Sequence, residues 1–135
     1  MSEITTNVFV YGTLMPGGSN YAQIEQHVID CSPGTIDGVL VDLGAFPALL
    51  PGEGQVKGVV LRVHPIALEI TDWIEGYHQD RERCLYFREK RMVQVDDGQE
   101  REAWTYFFAN PASIVDYPRL VVDDCDGKPV FAWSV

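Results

Sequence analysis

The sequence is poor in cysteine, in positive charge and in long apolar runs. Its three cysteines, Cys31, Cys84 and Cys125, are odd in number, widely spaced and without a C-x-x-C pair. That argues against a disulfide scaffold or a structural zinc site and points to reduced thiols in a cytoplasmic protein. Lys and Arg number 10 against 20 Asp and Glu, a net charge of −10, which disfavours nucleic acid and anionic membrane surfaces as partners. No apolar stretch approaches the roughly 20 residues that a membrane helix needs. The opening Met1-Ser2-Glu3-Ile4-Thr5-Thr6-Asn7 has neither the basic start nor the apolar run of a signal peptide. Repeats and low-complexity tracts are absent. His27, His64 and His78 show neither H-x-x-x-H nor H-E-x-x-H spacing, so no metal centre is expected.

What remains is an ordinary globular composition, 46% hydrophobic and 22% charged over 135 residues. That length suits one domain, residues 1–135, able to bury roughly two-thirds of its unfolded surface.

Along the chain, short β-branched runs alternate with Gly and Pro. Asn7 to Tyr11 reads as a strand that stops at Gly12. Gly17-Gly18-Ser19-Asn20 offers an N-cap for a short helix through about Val28, with Ile24 and Val28 at i and i+4. Thr35 to Leu43 and Val56 to Val63 read as strands. Between them, Gly44 to Gly54 carries two prolines and three glycines and reads as a loop lying against the core. Pro65 to Glu75 is the clearest helix, with Ile66, Ile70, Trp73, Ile74 and Tyr77 on one apolar face and Gly76 as its stop. Leu85 to Val95 and Arg101 to Ala109 form a hairpin around Asp97-Gly98. A last pair, about Arg119 to Val122 and Val130 to Trp133, brackets Asp126-Gly127-Lys128-Pro129. The class is α+β, with few helices and a strongly bent or barrel-like sheet.

Two places attract chemistry. Tyr11-Gly12-Thr13-Leu14-Met15-Pro16-Gly17-Gly18 follows the first strand directly. A glycine there tolerates positive φ and can turn successive N–H groups towards one point, a cradle for a carboxylate. By itself the segment reads first as an ordinary turn, and it is neither a P-loop nor a dinucleotide fingerprint. The second place is Glu75, among Trp73, Ile74 and Tyr77 at the end of the helix. Partial burial and the negative end of the helix both raise its pKa towards neutrality, where a general base works best. Its ordinary reading is a surface Glu at a helix end; Asp72 reads as solvated. Cys84 and His78 could pair as a nucleophile and base, although the strand context favours a core cysteine. Tyr86, Arg88 and Tyr106 lie on the paired strands, where aromatic residues usually pack.

The order of these segments is more telling than any one of them. Tyr-Gly-Thr-Leu (Tyr11 to Leu14), Gly38 to Gly52, Glu75-Gly76-Tyr77, and Tyr86-Phe87-Arg88 with Val93 together resemble the γ-glutamylcyclotransferase-like superfamily. The resemblance is greatest to its small single-domain branch, which includes γ-glutamylamine cyclotransferases, and runs from about Val8 to Phe108. It implies a barrel-like α+β fold with a cavity and a small-molecule γ-glutamyl substrate. The implied reaction closes 5-oxoproline and expels an amine, without metal or cofactor. It places the catalytic acid/base on Glu75 and substrate contacts on Tyr11, Gly12, Thr13, Leu14, Gly44, Phe46, Tyr86 and Tyr106. The leaving amine or peptide, the oligomeric state and the role of the segment after Asn110 are not legible in the sequence. Two other readings stand beside this one: a non-catalytic module that binds a small metabolite in the same cavity, and a Cys-dependent amidohydrolase built on Cys84.

Overall fold

A seven-stranded sheet closes on itself through one doubly shared strand. The computed structural model describes residues 4–78, 80 and 83–134. In chain order it has β1 (Thr6–Val10), β2 (Val28–Asp42), β3 (Pro47–Val63), α1 (Ile66–Glu75), β4 (Tyr86–Val95), β5 (Glu100–Phe108), β6 (Val121–Cys125) and β7 (Lys128–Phe131). Sheet order is β1-β5-β4-β2-β3-β7-β6, with β1 also pairing β3. The five strands β1, β5, β4, β2 and β3 therefore form a closed ring. β1–β5 and β3–β7 are parallel and the other pairs antiparallel. Closure removes the free edges that an open sheet would leave, and inward side chains fill the ring. Phe9, Leu40, Leu49, Val56, Leu61, Phe107 and Phe131 are among its fully buried residues.

Several local expectations give way to this architecture. Tyr21–Gln23 and Glu25–His27 are two short 3-10 turns and not one helix, and Val28 already begins β2. The Asn20 side chain, expected as an N-cap, is committed elsewhere: it donates to Thr13 Oγ1 at 3.0 Å and accepts from Gln23 Nε2 at 2.8 Å. From Pro47 onward the expected loop is strand. The β2–β3 register jumps from Asp37↔Gln55 to Val39↔Leu50, so residues 51–54 bulge opposite Gly38. Pro51 and Gly54 fall in that bulge, where a ladder N–H is not needed. Only Leu43 to Phe46 forms the connecting turn, clasped by Leu43 N–H to Phe46 O at 3.1 Å.

The helix lies where expected, but its buried face is rotated. Ala67 and Thr71 are buried and Ile70 and Ile74 pack on the core, whereas Ile66 is half exposed and Trp73 is 80% exposed. The inward stripe starts at Ala67 and follows i, i+3, i+4, i+7. Thr71, polar and so left off the apolar face, is buried because its hydroxyl meets Tyr106 Oη at 2.7 Å. At the C-terminus, Asp126 and Gly127 both take positive φ, 53° and 82°. That is the signature of a two-residue hairpin turn, so Lys128 and Pro129 belong to β7. The preceding segment lies along the end of β2, with Asp42 N–H donating to Pro118 O and Leu120 N–H to Leu40 O.

Candidate active site

A cavity of about 300 Å³ opens at the end of the ring where β1 stops, α1 ends and the β2–β3 turn folds over. Its first wall is Tyr11 to Leu14. Tyr11 is buried and its hydroxyl donates to Tyr106 O at 2.6 Å, tying the end of β1 to β5. Contrary to expectation, Gly12 is required for space and not for positive φ. A Cβ there would stand 2.7 Å from Pro47 Cγ, while the positive φ of the segment belongs to Gly17, at 89°. The loop then curls onto itself through Met15 N–H to Gly12 O and Asn20 N–H to Thr13 O. Among the described residues, the N–H groups of Thr13 and Leu14 have no intramolecular acceptor.

The second wall is the last turn of α1. Glu75 is its final residue, and Gly76 follows in the left-handed conformation at φ 65°, its N–H returning to Trp73 O. That cap turns the chain away at once and leaves Glu75 facing the cavity with Ile74. Burial pushes its carboxyl up to about 7, because a charge removed from water is disfavoured. It is the one charged side chain among the described residues that line the cavity.

Tyrosines close the rest. Tyr86 donates from its hydroxyl to Pro47 O at 2.8 Å and meets Phe108 edge-on, ring centroids 5.3 Å apart. Burial and, second, the Glu75 carboxylate hold its phenol well above the usual range. Tyr106 is raised by burial first and then by Asp72. Phe46, 37% exposed, stands at the mouth. Thus Tyr11, Gly12, Thr13, Leu14, Phe46, Glu75, Tyr86 and Tyr106 converge on one cavity. Gly44 stands outside its lining: at φ 98°, with its N–H on Asp42 Oδ1 at 2.7 Å, it shapes the turn that carries Phe46.

Ser19, Asn20, Ile74 and Leu85 also line the cavity and were not foreseen there. Asn20 carried a signal, a polar residue just past a glycine pair, but that signal read as a helix cap. Asp72 is not solvated. It pairs with Arg88, Nε to Oδ1 at 2.7 Å, and accepts from the Tyr106 hydroxyl at 2.6 Å. Cys84 is half-buried in the segment before β4, not in a strand core. Its thiol donates to the His78 main-chain O at 2.8 Å and accepts from the His78 N–H at 3.0 Å. The two do not form a thiol–imidazole pair, and neither lines the cavity. Among the described residues, no group of three His, Cys, Asp or Glu could hold a metal ion, and no helix is long and apolar enough to cross a membrane.

A closed α+β barrel with one half-buried carboxyl on a cavity at its end is the class that sequence, fold and site define together. The chain belongs to the γ-glutamyl cyclotransferase, AIG2-like family, whose model matches residues 8–127. A γ-L-glutamyl-butirosin B γ-glutamyl cyclotransferase from Niallia circulans is 32% identical over 104 residues, 76% of this chain and 66% of that enzyme. The chain thus spans just under two-thirds of that relative's length. A Methanocaldococcus jannaschii relative is 30% identical over 111 residues, 80% of this chain and 88% of that protein. Among solved structures, a mouse AIG2-like protein superposes with a TM-score of 0.69 at 25% identity, covering 85% of each chain.

Proposed function

We propose that the protein is a γ-glutamyl cyclotransferase that converts a γ-glutamyl amine or γ-glutamyl peptide to 5-oxoproline and a free amine, with Glu75 as general acid and base. The observation that carries this is one raised-pKa carboxyl lining the same cavity as Thr13 and Leu14, whose N–H groups have no acceptor among the described residues. The substrate's α-ammonium is not nucleophilic until it loses a proton. Glu75, partly ionised near neutrality, takes that proton. The freed amine attacks the γ-carbonyl carbon of the same molecule, forming the ring C–N bond. The tetrahedral intermediate then expels the leaving nitrogen, which receives the proton held by Glu75. The regenerated carboxylate takes the second proton from the ring nitrogen, leaving the lactam N–H, and passes it to the freed amine, which departs as an ammonium. Atoms balance with no second substrate, since nucleophile and electrophile share one molecule.

The amides at Thr13 and Leu14 suit the substrate's α-carboxylate, which fixes the glutamyl chain in a near-attack geometry. Tyr11 and Tyr86 spend their hydroxyls on Tyr106 O and Pro47 O, so they shape the pocket more than they bind the substrate. The family and the names of its relatives support the reaction class. Incubation with a panel of γ-glutamyl amines and peptides, with 5-oxoproline and free amine followed by mass spectrometry, tests it. Equimolar 5-oxoproline and amine, abolished in Glu75→Gln, is the expected result. Binding without turnover would leave a metabolite-binding module, and glutamate as product would mean hydrolysis.

A further inference from the structure

Glu75 makes no side-chain hydrogen bond among the described residues. Whatever fixes its carboxyl must therefore fix the last turn of α1. Two residues of that turn are tied down. Thr71 and Asp72 precede Glu75 by four and three positions, which puts them on the same helix face. The Tyr106 hydroxyl donates to Asp72 Oδ1 at 2.6 Å and accepts from Thr71 Oγ1 at 2.7 Å. Arg88 grips the same carboxylate from β4 with both ends of its fork, Nε to Oδ1 at 2.7 Å and Nη2 to Oδ2 at 3.2 Å. Its guanidinium lies over the Trp104 ring at 4.3 Å and the Tyr77 ring at 5.1 Å.

This is not a loose surface pair. The Arg88 and Asp72 side chains are only 18% and 21% exposed, and a bidentate fork orients as well as attracts. The network also reaches the cavity wall, because Tyr106 lines the cavity and its carbonyl accepts from Tyr11. We propose that Asp72, with Arg88 as its counter-ion, is a positioning residue that holds Glu75 over the cavity by way of Tyr106. The proposal rests on the cyclotransferase reading of Glu75.

The titratable groups that face Glu75 are Tyr11 beyond β1 and Tyr86 on β4, with Tyr106 on β5 beside them, all neutral at pH 7. Titrating the Glu75 carboxyl by NMR in the full chain labelled with [¹³C]glutamate needs no substrate, so it judges Asp72 even if the parent forms no 5-oxoproline. That second outcome would sink the cyclotransferase reading alone. In Asp72→Asn the turn loosens, water reaches the carboxyl, and its midpoint drops by about one pH unit or more. With substrate, kcat drops about tenfold or more while KM stays within about threefold, as loss of near-attack placement requires. Arg88→Gln leaves the Tyr106 bond to Asp72 but frees a negative charge. Charge acting through space would then raise the Glu75 midpoint, whereas loosening lowers it. A lower midpoint in both variants, with Arg88→Lys recovering part of it, supports the proposal. An unchanged midpoint, or a rise in Arg88→Gln, overturns it. If Asp72→Asn does not fold, the Arg88→Gln titration decides on the same criterion.

Discussion

Replacing Glu75 by glutamine should stabilise the protein at alkaline pH while abolishing its chemistry. Burial raises the Glu75 carboxyl from 4.5 to about 7. Above about 7 the folded and unfolded chains both carry the ionised carboxylate, and the folded chain bears the cost of holding that charge in the cavity. Below about 4.5 both carry the neutral acid and the cost is gone. In between, the folded state binds more protons than the unfolded state, so stability falls as pH rises. The displacement corresponds to about 3 kcal/mol across that interval. Glu75→Gln is neutral throughout and lacks this slope. Urea unfolding of parent and variant at pH 5, 6, 7 and 8.5 isolates it, because all other titrations cancel in the difference. The variant's advantage should grow from pH 5 to about 7 and then level off, by up to about 3 kcal/mol in all. Any constant cost of seating the amide shifts the whole curve and leaves its slope. A difference that stays flat from pH 5 to 8.5 would refute the claim that the cavity, and not solvent, sets the carboxyl's proton affinity.

The same ionisation should govern turnover, since only the carboxylate takes a proton from the substrate's ammonium: kcat/KM should climb with pH through about 7. A flat profile between pH 6 and 8 would exclude Glu75 as the base. Gly12→Ala drives a Cβ to within 2.7 Å of the rigid Pro47 ring and should cost about 1–3 kcal/mol in thermal or urea unfolding, with weaker substrate binding as the cavity wall shifts. Tyr11→Phe strips the 2.6 Å bond to Tyr106 O and leaves a buried carbonyl without its donor, a loss of about 1–3 kcal/mol. Unchanged stability in that variant, with only substrate affinity reduced, would mean the hydroxyl serves the ligand and not the barrel.

The α+β class, the bent sheet and helix α1 were legible because their signals are local. Asp97-Gly98 makes its hairpin whatever surrounds it, and Gly76 caps α1 by its own φ of 65°. The misread segments mostly depend on a partner outside their own stretch of chain. Pro47 to Gly54 looks irregular until β2 lies beside it and absorbs the bulge. Thr71 looks polar and exposed until Tyr106, 35 residues on, takes its hydroxyl. Trp73 looks like an anchor of the apolar face because it is large, yet the barrel end admits only the small Ala67 and Thr71 at closest approach. Asp72 looked solvated for the same reason: its counter-ion waits on β4. Most of the cavity wall was legible because four motifs point to it, whereas Leu85 and Ser19 contribute by position alone.

Those four motifs meet because the sheet closes. β1 pairs with β3 through Val10↔Val59, and β2 pairs with β3 down to Asp42↔Pro47. Closure thus delivers Pro47 against the residue that follows Tyr11, where only glycine fits. The Pro47 carbonyl takes the Tyr86 hydroxyl, whose ring borders the same cavity as Glu75. Tyr106 completes the circuit, its carbonyl accepting from Tyr11 and its hydroxyl donating to Asp72 on the turn that bears Glu75. No segment can shift without its neighbour on this circuit losing a close contact or a hydrogen bond. A carboxyl with no hydrogen bond to the described residues can therefore still be placed, because the ring of strands places everything around it.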